Sequence, residues 1–135
     1  MIYNIGTDIV SVKRIDSIYK KHGDVFIKKI LSVKEQEIFS KRQHGSNYLA
    51  KRFAAKEALA KSFGTGIGKI SFKDISVLNY NTGMPYLELS SNLKNIAESI
   101  LGTASYKLHI SISDDKDLAL AFATIEIRND TQPRK

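Results

Sequence analysis

Residues 48–68 read YLAKRFAAKEALAKSFGTGIG. Alanine and leucine are strong helix formers, and neither Pro nor Gly interrupts them before Gly64. The stretch predicts a helix of roughly sixteen residues, about 24 Å long at ~1.5 Å per residue. At about 100° per residue, Ala50, Phe53, Ala54, Glu57, Ala60 and Lys61 share one arc, while Tyr48, Leu49, Leu59 and Phe63 share another. A carboxylate therefore stands among small apolar side chains, with a lysine one turn further on. Spacing alone leaves two readings open. Glu57 and Lys61 are an ordinary i,i+4 pair worth about 0.2–0.5 kcal/mol, or they belong to a chemical site.

Towards the N-terminus, Ile2 to Val10 reads as a strand. Gly6 is unusual inside it and marks a place where another backbone or a ligand comes close. Asp8 lies at the strand end, either as a cap or turn residue or as a functional group. Ser11 is a candidate N-cap for a helix over Val12–Lys21 with Ile15, Ile18 and Tyr19 at helical spacing. Gly23 breaks that helix, and Asp24 is expected to cap the next, whose apolar side is Val25, Phe26, Ile30 and Leu31. Ser32-Val33-Lys34-Glu35 matches a capping box and predicts a third helix ending near Gly45. Ser46 or Asn47 would then cap the long helix.

Towards the C-terminus, Asp74–Tyr80 reads as a strand, and Asn81-Thr82-Gly83 is a hairpin signal. Pro85 restricts the start of a short strand over Tyr86–Leu89. A serine or asparagine at 90–92 caps a helix that ends at Gly102. Leu108–Ser113 alternates, with Leu and Ile on one face and His109, Ser111 and Ser113 on the other. Asp114–Asp117 is a turn. Leu118–Ile127, apolar on both faces, predicts a buried central strand. The pattern is α+β: a small antiparallel sheet wrapped by the long central helix and several short ones. One domain over residues 1–128 is expected, followed by a polar tail at 129–135.

A net charge of +7 favours an anionic partner, whether nucleic acid, a phosphate-rich cofactor or an acidic protein. The basic residues are dispersed rather than gathered in an arm. Cysteine is absent, which removes disulfides, thiolate metal sites and a cysteine nucleophile. The three histidines lack zinc-motif spacing. MIYNIGTDIV does not read as a signal peptide, and no apolar run approaches the ~20 residues of a membrane span. A soluble, cytoplasmic protein is the expectation. Asp8, Glu57 and Lys61 together suit a Mg²⁺–phosphate site, because Mg²⁺ is commonly held by one or two carboxylates plus phosphate oxygens and water. Gly64-Thr65-Gly66-Ile67-Gly68 closes a helix rather than opening one, so it is no dinucleotide fingerprint, although such glycines let backbone N–H groups approach a phosphate.

With these residues in view, the chain resembles the holo-[acyl-carrier-protein] synthases, the short class of bacterial 4′-phosphopantetheinyl transferases. The likeness is carried by IGTDIVSVKRI at 5–15, KILSVKE at 29–35, FAAKEALAKSFGTGIG at 53–68, NTGMP at 81–85 and HISISDD at 109–115. It covers essentially all of residues 1–127. The resemblance implies transfer of the phosphopantetheine arm of coenzyme A to a serine of apo-acyl carrier protein, for fatty acid biosynthesis, with release of adenosine 3′,5′-bisphosphate. It makes Asp8 and Glu57 the Mg²⁺ ligands. Lys61 would contact the pyrophosphate and stabilise or protonate the leaving phosphate. Glu57, or a water it orients, would take the serine proton. Arg52, Gly64 and His109 match positions near the nucleotide and phosphates, and Arg14 matches the docking surface for the acidic carrier. The class implies a homotrimer with each active site between two subunits, and no nucleic-acid or membrane partner. The alanines of the long helix would then leave room for coenzyme A or a neighbouring subunit. Two positions depart from the pattern: Met84 stands where the family often has Lys, and Asp114 where a second His is often found. A nucleic-acid module and a Mg²⁺-dependent nuclease are the competing classes. The first lacks interleaved aromatic and basic residues, and the second usually places its lysine two residues from the acid rather than four.

Overall fold

The computed structural model describes residues 1–41, 45–65 and 69–128. Arg42 and His44, the glycines at 66 and 68, and the expected polar tail at 129–135 lie outside these residues. The order is β1 (Ile2–Ser11), α1 (Val12–His22), α2 (Asp24–Ile30), α3 (Val33–Lys41), α4 (Ser46–Ser62), a 3₁₀ turn (Phe72–Asp74), β2 (Ile75–Asn79), β3 (Pro85–Leu89), α5 (Ser91–Leu101), β4 (Tyr106–Asp114) and β5 (Leu118–Ile127). The strands form two antiparallel sheets, β1-β5-β4 and the separate hairpin β2-β3, rather than one.

Local signals set most boundaries. Ser11 accepts from the Arg14 backbone N–H at 3.2 Å and caps α1. The capping box forms reciprocally: Glu35 accepts from Ser32 N–H at 2.9 Å, and Ser32 Oγ accepts from Glu35 N–H at 3.3 Å. Ser90 caps α5, and Gly102 closes it in the left-handed region. Two expected caps are displaced by one residue. Gly23, not Asp24, precedes α2, and Gly45 precedes α4. Asp24 and Ser46 are the first helical residues, and Ser46 turns its hydroxyl to Asp16 of α1 instead.

α4 lies at the centre, packed against β1, β5, β4, α1 and β2. Its alanines at 50, 54, 55, 58 and 60 are completely buried. They do not leave room for a ligand or a neighbour; the chain's own sheet and helices cover them. Ala119, Ala121 and Ala123 of β5 are likewise buried, so small residues meet across the helix–sheet contact and the backbones come close. Gly6 marks the closest approach. A Cβ there would stand 2.0 Å from the Ala58 carbonyl oxygen and 2.7 Å from the Ser62 nitrogen. The glycine inside β1 is thus a seat for α4.

β5 is the central strand of its sheet, as expected, but only one of its faces is covered. Leu118, Leu120 and Phe122 lie on the other face and remain exposed, beside Ile5 and Ile9 of β1. Their apolar character reflects a surface this chain leaves open, not burial within it.

Candidate active site

Pairing register decides which residues meet. Directly opposite residues share a face. Asp8 pairs with Ala121, which pairs with Ile112, and Gly6 pairs with Ala123 and Ile110 in the same way. Both rungs face α4. Gly6 draws β1 onto the helix between Ala58 and Ser62, and the next residue on that face, Asp8, is carried to the side of α4 that bears Glu57 and Lys61. Lys61 Nζ donates to the Thr7 carbonyl and to Asp8 Oδ1, both at 3.1 Å.

Glu57 sits one turn back from Lys61. Partial burial pushes its carboxyl above the ordinary range, the Asp8 charge pushes it further, and Lys61 opposes both. Asp8 Oδ2 is buried without a hydrogen-bond partner. Two carboxylates that repel each other, one with an orphaned oxygen, form a donor set that suits a hard divalent cation. Among the described residues no group of three His, Cys, Asp or Glu gathers, so such a cation would rest on two side chains and take its remaining oxygens from substrate and water.

The other residues singled out in the sequence lie elsewhere. Arg52 is about 140° around α4 from Glu57 by helical geometry. Its guanidinium lies over the Tyr48 ring, 4.1 Å from the centroid, and donates to Asn79 Oδ1 at 2.8 Å. It faces the turn end of the β2–β3 hairpin. Gly64, at φ +82°, closes α4 with its N–H on the Lys61 carbonyl at 2.9 Å. Arg14 is exposed in the first turn of α1. His109 pairs with Thr124, which pairs with Ile5, and so lies on the open face of the sheet, opposite to Asp8. Its Nε2 is 3.0 Å from Glu126 Oε1, and that hydrogen bond holds the Glu126 carboxyl below its ordinary range. A single chain therefore unites Asp8, Glu57 and Lys61 and leaves Arg52 and His109 apart from them.

Sequence reading missed one buried arrangement. Lys56 and Glu35 are both completely buried and paired. The lysine inside an alanine run was the available signal, and nothing in the spacing named its partner.

A family model for the 4′-phosphopantetheinyl transferase superfamily matches residues 4–123. A holo-[acyl-carrier-protein] synthase of Vesicomyosocius okutanii is 44% identical over 96% of this chain and all of its own length. The crystal structure of the Neisseria meningitidis holo-[acyl-carrier-protein] synthase superposes with a TM-score of 0.86 at 44% identity, covering 93% of this chain and 99% of that one. A holo-(acyl-carrier-protein) synthase of Bacillus anthracis, in complex with CoA (3′,5′-ADP), superposes with a TM-score of 0.77 at 36% identity, covering 95% and 99%.

Proposed function

The chain belongs to the holo-[acyl-carrier-protein] synthases of the 4′-phosphopantetheinyl transferase superfamily, and from that membership we propose how its residues serve the reaction. It transfers the 4′-phosphopantetheine of coenzyme A to a serine of apo-acyl carrier protein, giving holo-carrier and adenosine 3′,5′-bisphosphate. The observation that carries the residue assignment is the meeting of Asp8, Glu57 and Lys61.

In the reaction the serine oxygen forms a bond to the β-phosphorus of the coenzyme A pyrophosphate, and the bond from that phosphorus to the bridging oxygen breaks. Asp8 and Glu57 would hold Mg²⁺ through their carboxylate oxygens, where the ion would supply positive charge to the pyrophosphate and offset the repulsion between the two side chains. Lys61 spends two of its three N–H donors on Thr7 and Asp8, which leaves one for the phosphate that departs with the nucleotide. Its hold on Asp8 keeps that donor aimed. Glu57, or a water it orients, receives the serine proton.

The working enzyme is a homotrimer. Ile5, Ile9, Leu118, Leu120 and Phe122 form an apolar sheet face, each about half exposed in one chain. A face of this kind marks an interaction surface. His109 lies on that same face, so its contact with substrate phosphates is made in a neighbour's site. Arg52 and Gly64 lie on the nucleotide side. Arg14 and its basic neighbours on α1 receive the acidic carrier, and the charge of +7 steers both polyanions in. No described helix is long and apolar enough to cross a membrane. The place of action is the cytoplasm and the product serves fatty acid biosynthesis.

The test is direct. The protein is incubated with coenzyme A, Mg²⁺ and apo-acyl carrier protein, and the carrier is weighed intact. The expected result is a gain of one phosphopantetheine that disappears with chelator. A competent apo-carrier that gains no mass would refute the assignment, and a gain that survives chelation would refute the metal.

A further inference from the structure

Lys56 and Glu35 stand at the middle of a closed circuit of bonds. Lys56 Nζ donates to the Ile30 carbonyl at 2.6 Å, to the Phe72 carbonyl at 3.0 Å and to Glu35 Oε1. Glu35 Oε2 accepts from the Val77 backbone N–H in β2 at 2.9 Å. Two residues along β2, Asn79 Oδ1 accepts from Arg52 Nη2 at 2.8 Å, and Asn79 Nδ2 donates to the Gly83 carbonyl in the hairpin turn at 2.8 Å. Arg52 is one turn upstream of Lys56 on the same side of α4, about 40° away by helical geometry. The circuit thus leaves α4 at Lys56, passes through α3 and β2, and returns to α4 at Arg52.

A closed loop of fixed bonds does what an apolar contact does not. Apolar packing is non-directional and tolerates small rotations of a helix. Hydrogen bonds have preferred directions and lengths, so two anchors on one helix fix its rotation about its own axis and its height along it. Both anchors lie on the side facing the hairpin, and Glu57 and Lys61 lie on the side facing Asp8. An ion pair buried this completely contributes little stability over a well-packed apolar pair, so a role in geometry accounts for it better than a role in stability.

We propose that Glu35, Lys56 and Asn79 are positioning residues: the circuit clamps the β2–β3 hairpin to α4, so that Arg52 and the hairpin turn meet the nucleotide end of coenzyme A at a fixed distance from Glu57. The clamp touches no reacting atom. It acts on coenzyme A and not on the carrier protein, which approaches by α1. This rests on the reading of Arg52 as a nucleotide-side contact.

Three variants test it: Glu35→Gln, which keeps shape but offers Val77 the wrong partner, Asn79→Ala, which cuts the circuit at its exposed end, and Arg52→Ala. Melting temperatures are recorded, and kinetics are measured well below the lowest of them. The clamp predicts a KM for coenzyme A raised roughly tenfold in Glu35→Gln and Asn79→Ala, with the KM for carrier unchanged. Asn79→Ala is expected to melt with wild type. A pair that serves only stability would lower the melting temperature of Glu35→Gln and leave both KM values alone, and that result overturns the clamp. Should Glu35→Gln fail to fold, Asn79→Ala decides: a wild-type KM for coenzyme A overturns the clamp. Arg52→Ala separates the two layers. A raised KM there with wild-type values in the other two sinks the clamp only. An unchanged KM in Arg52→Ala sinks the nucleotide-side reading, and the clamp's purpose with it.

Discussion

At the scale of single residues, the site is a balance of unlike charges on two elements. Asp8 and Glu57 repel, and Lys61 bridges to Asp8 without neutralising both. The two carboxylates are expected to be needed for chemistry and not for the fold. Asp8→Asn and Glu57→Gln should each lower Mg²⁺-dependent turnover by about 100-fold or more while circular dichroism stays that of wild type. Wild-type turnover in both would refute the metal assignment. Asp16 behaves differently because its role is structural. The Ser46 hydroxyl first, and Lys20 second, hold its carboxyl below its ordinary value of 3.8. A carboxyl depressed on folding lends stability that is full above the unfolded value and is lost as pH falls through the folded one. Asp16→Asn should therefore be less stable than wild type at neutral pH, with the difference closing as the pH is taken below 3.8. Urea titrations at stepped pH read this out, and a difference that persists into acid would show that charge is not the cause.

At the scale of elements, the decisive contact is β1 on α4. The Ala58 carbonyl oxygen already occupies the space that a side chain at Gly6 would need. Gly6→Ala should cost about 3 kcal/mol by forcing strand and helix apart, and should lower turnover as well, since Asp8 rides on the same strand face. Denaturant unfolding and the carrier mass assay check the two halves. A variant with wild-type stability would mean the strand relaxes freely. α1 makes the complementary case. It is capped by Ser11 and amphipathic, with Ile15 buried and Lys13 and Arg14 outward. Arg14→Ala should raise the KM for carrier about fivefold, the equivalent of about 1 kcal/mol, and leave that for coenzyme A unchanged. Equal effects on both substrates would argue against docking.

At the scale of the whole molecule, the three-stranded sheet has one face on α4 and one face open. The open face carries Ile5, Ile9, Leu118, Leu120 and Phe122. Burying a large apolar side chain is worth about 1.5–3 kcal/mol, so covering several half-exposed ones in each chain supplies a strong drive to assemble. Phe122→Asp places a charge there. It is expected to yield a folded monomer by light scattering, with transfer activity lost because His109 no longer reaches a neighbouring site. A trimeric or fully active variant would overturn both statements. Salt should slow association with the carrier, because a basic surface meets an acidic one across distances comparable to the ~10 Å screening length.

The sequence by itself determined the helices, the caps at Ser11, Ser32 and Ser90 and the hairpins, and it singled out Asp8, Glu57 and Lys61, because these rest on short-range rules: period, capping chemistry, turn residues and a motif of high specificity. Gly6 was readable as a close approach for the same reason. Only the tertiary structure decided what each face meets. Composition alone does not say whether alanines leave space or fill it, and here β5 supplies alanines of its own that close the gap to α4. Nor does an apolar run on two faces reveal that one face is bare, since burial by the same chain and burial by another select the same side chains. The Glu35–Lys56 circuit was illegible because its partners are scattered from residue 30 to residue 83 and half of its acceptors are backbone carbonyls, which leave no mark in a sequence. The stretch at 48–68 carried the fold in its letters. The orientation of its helix, and with it the meeting of Asp8 with Lys61, came from the packing around it.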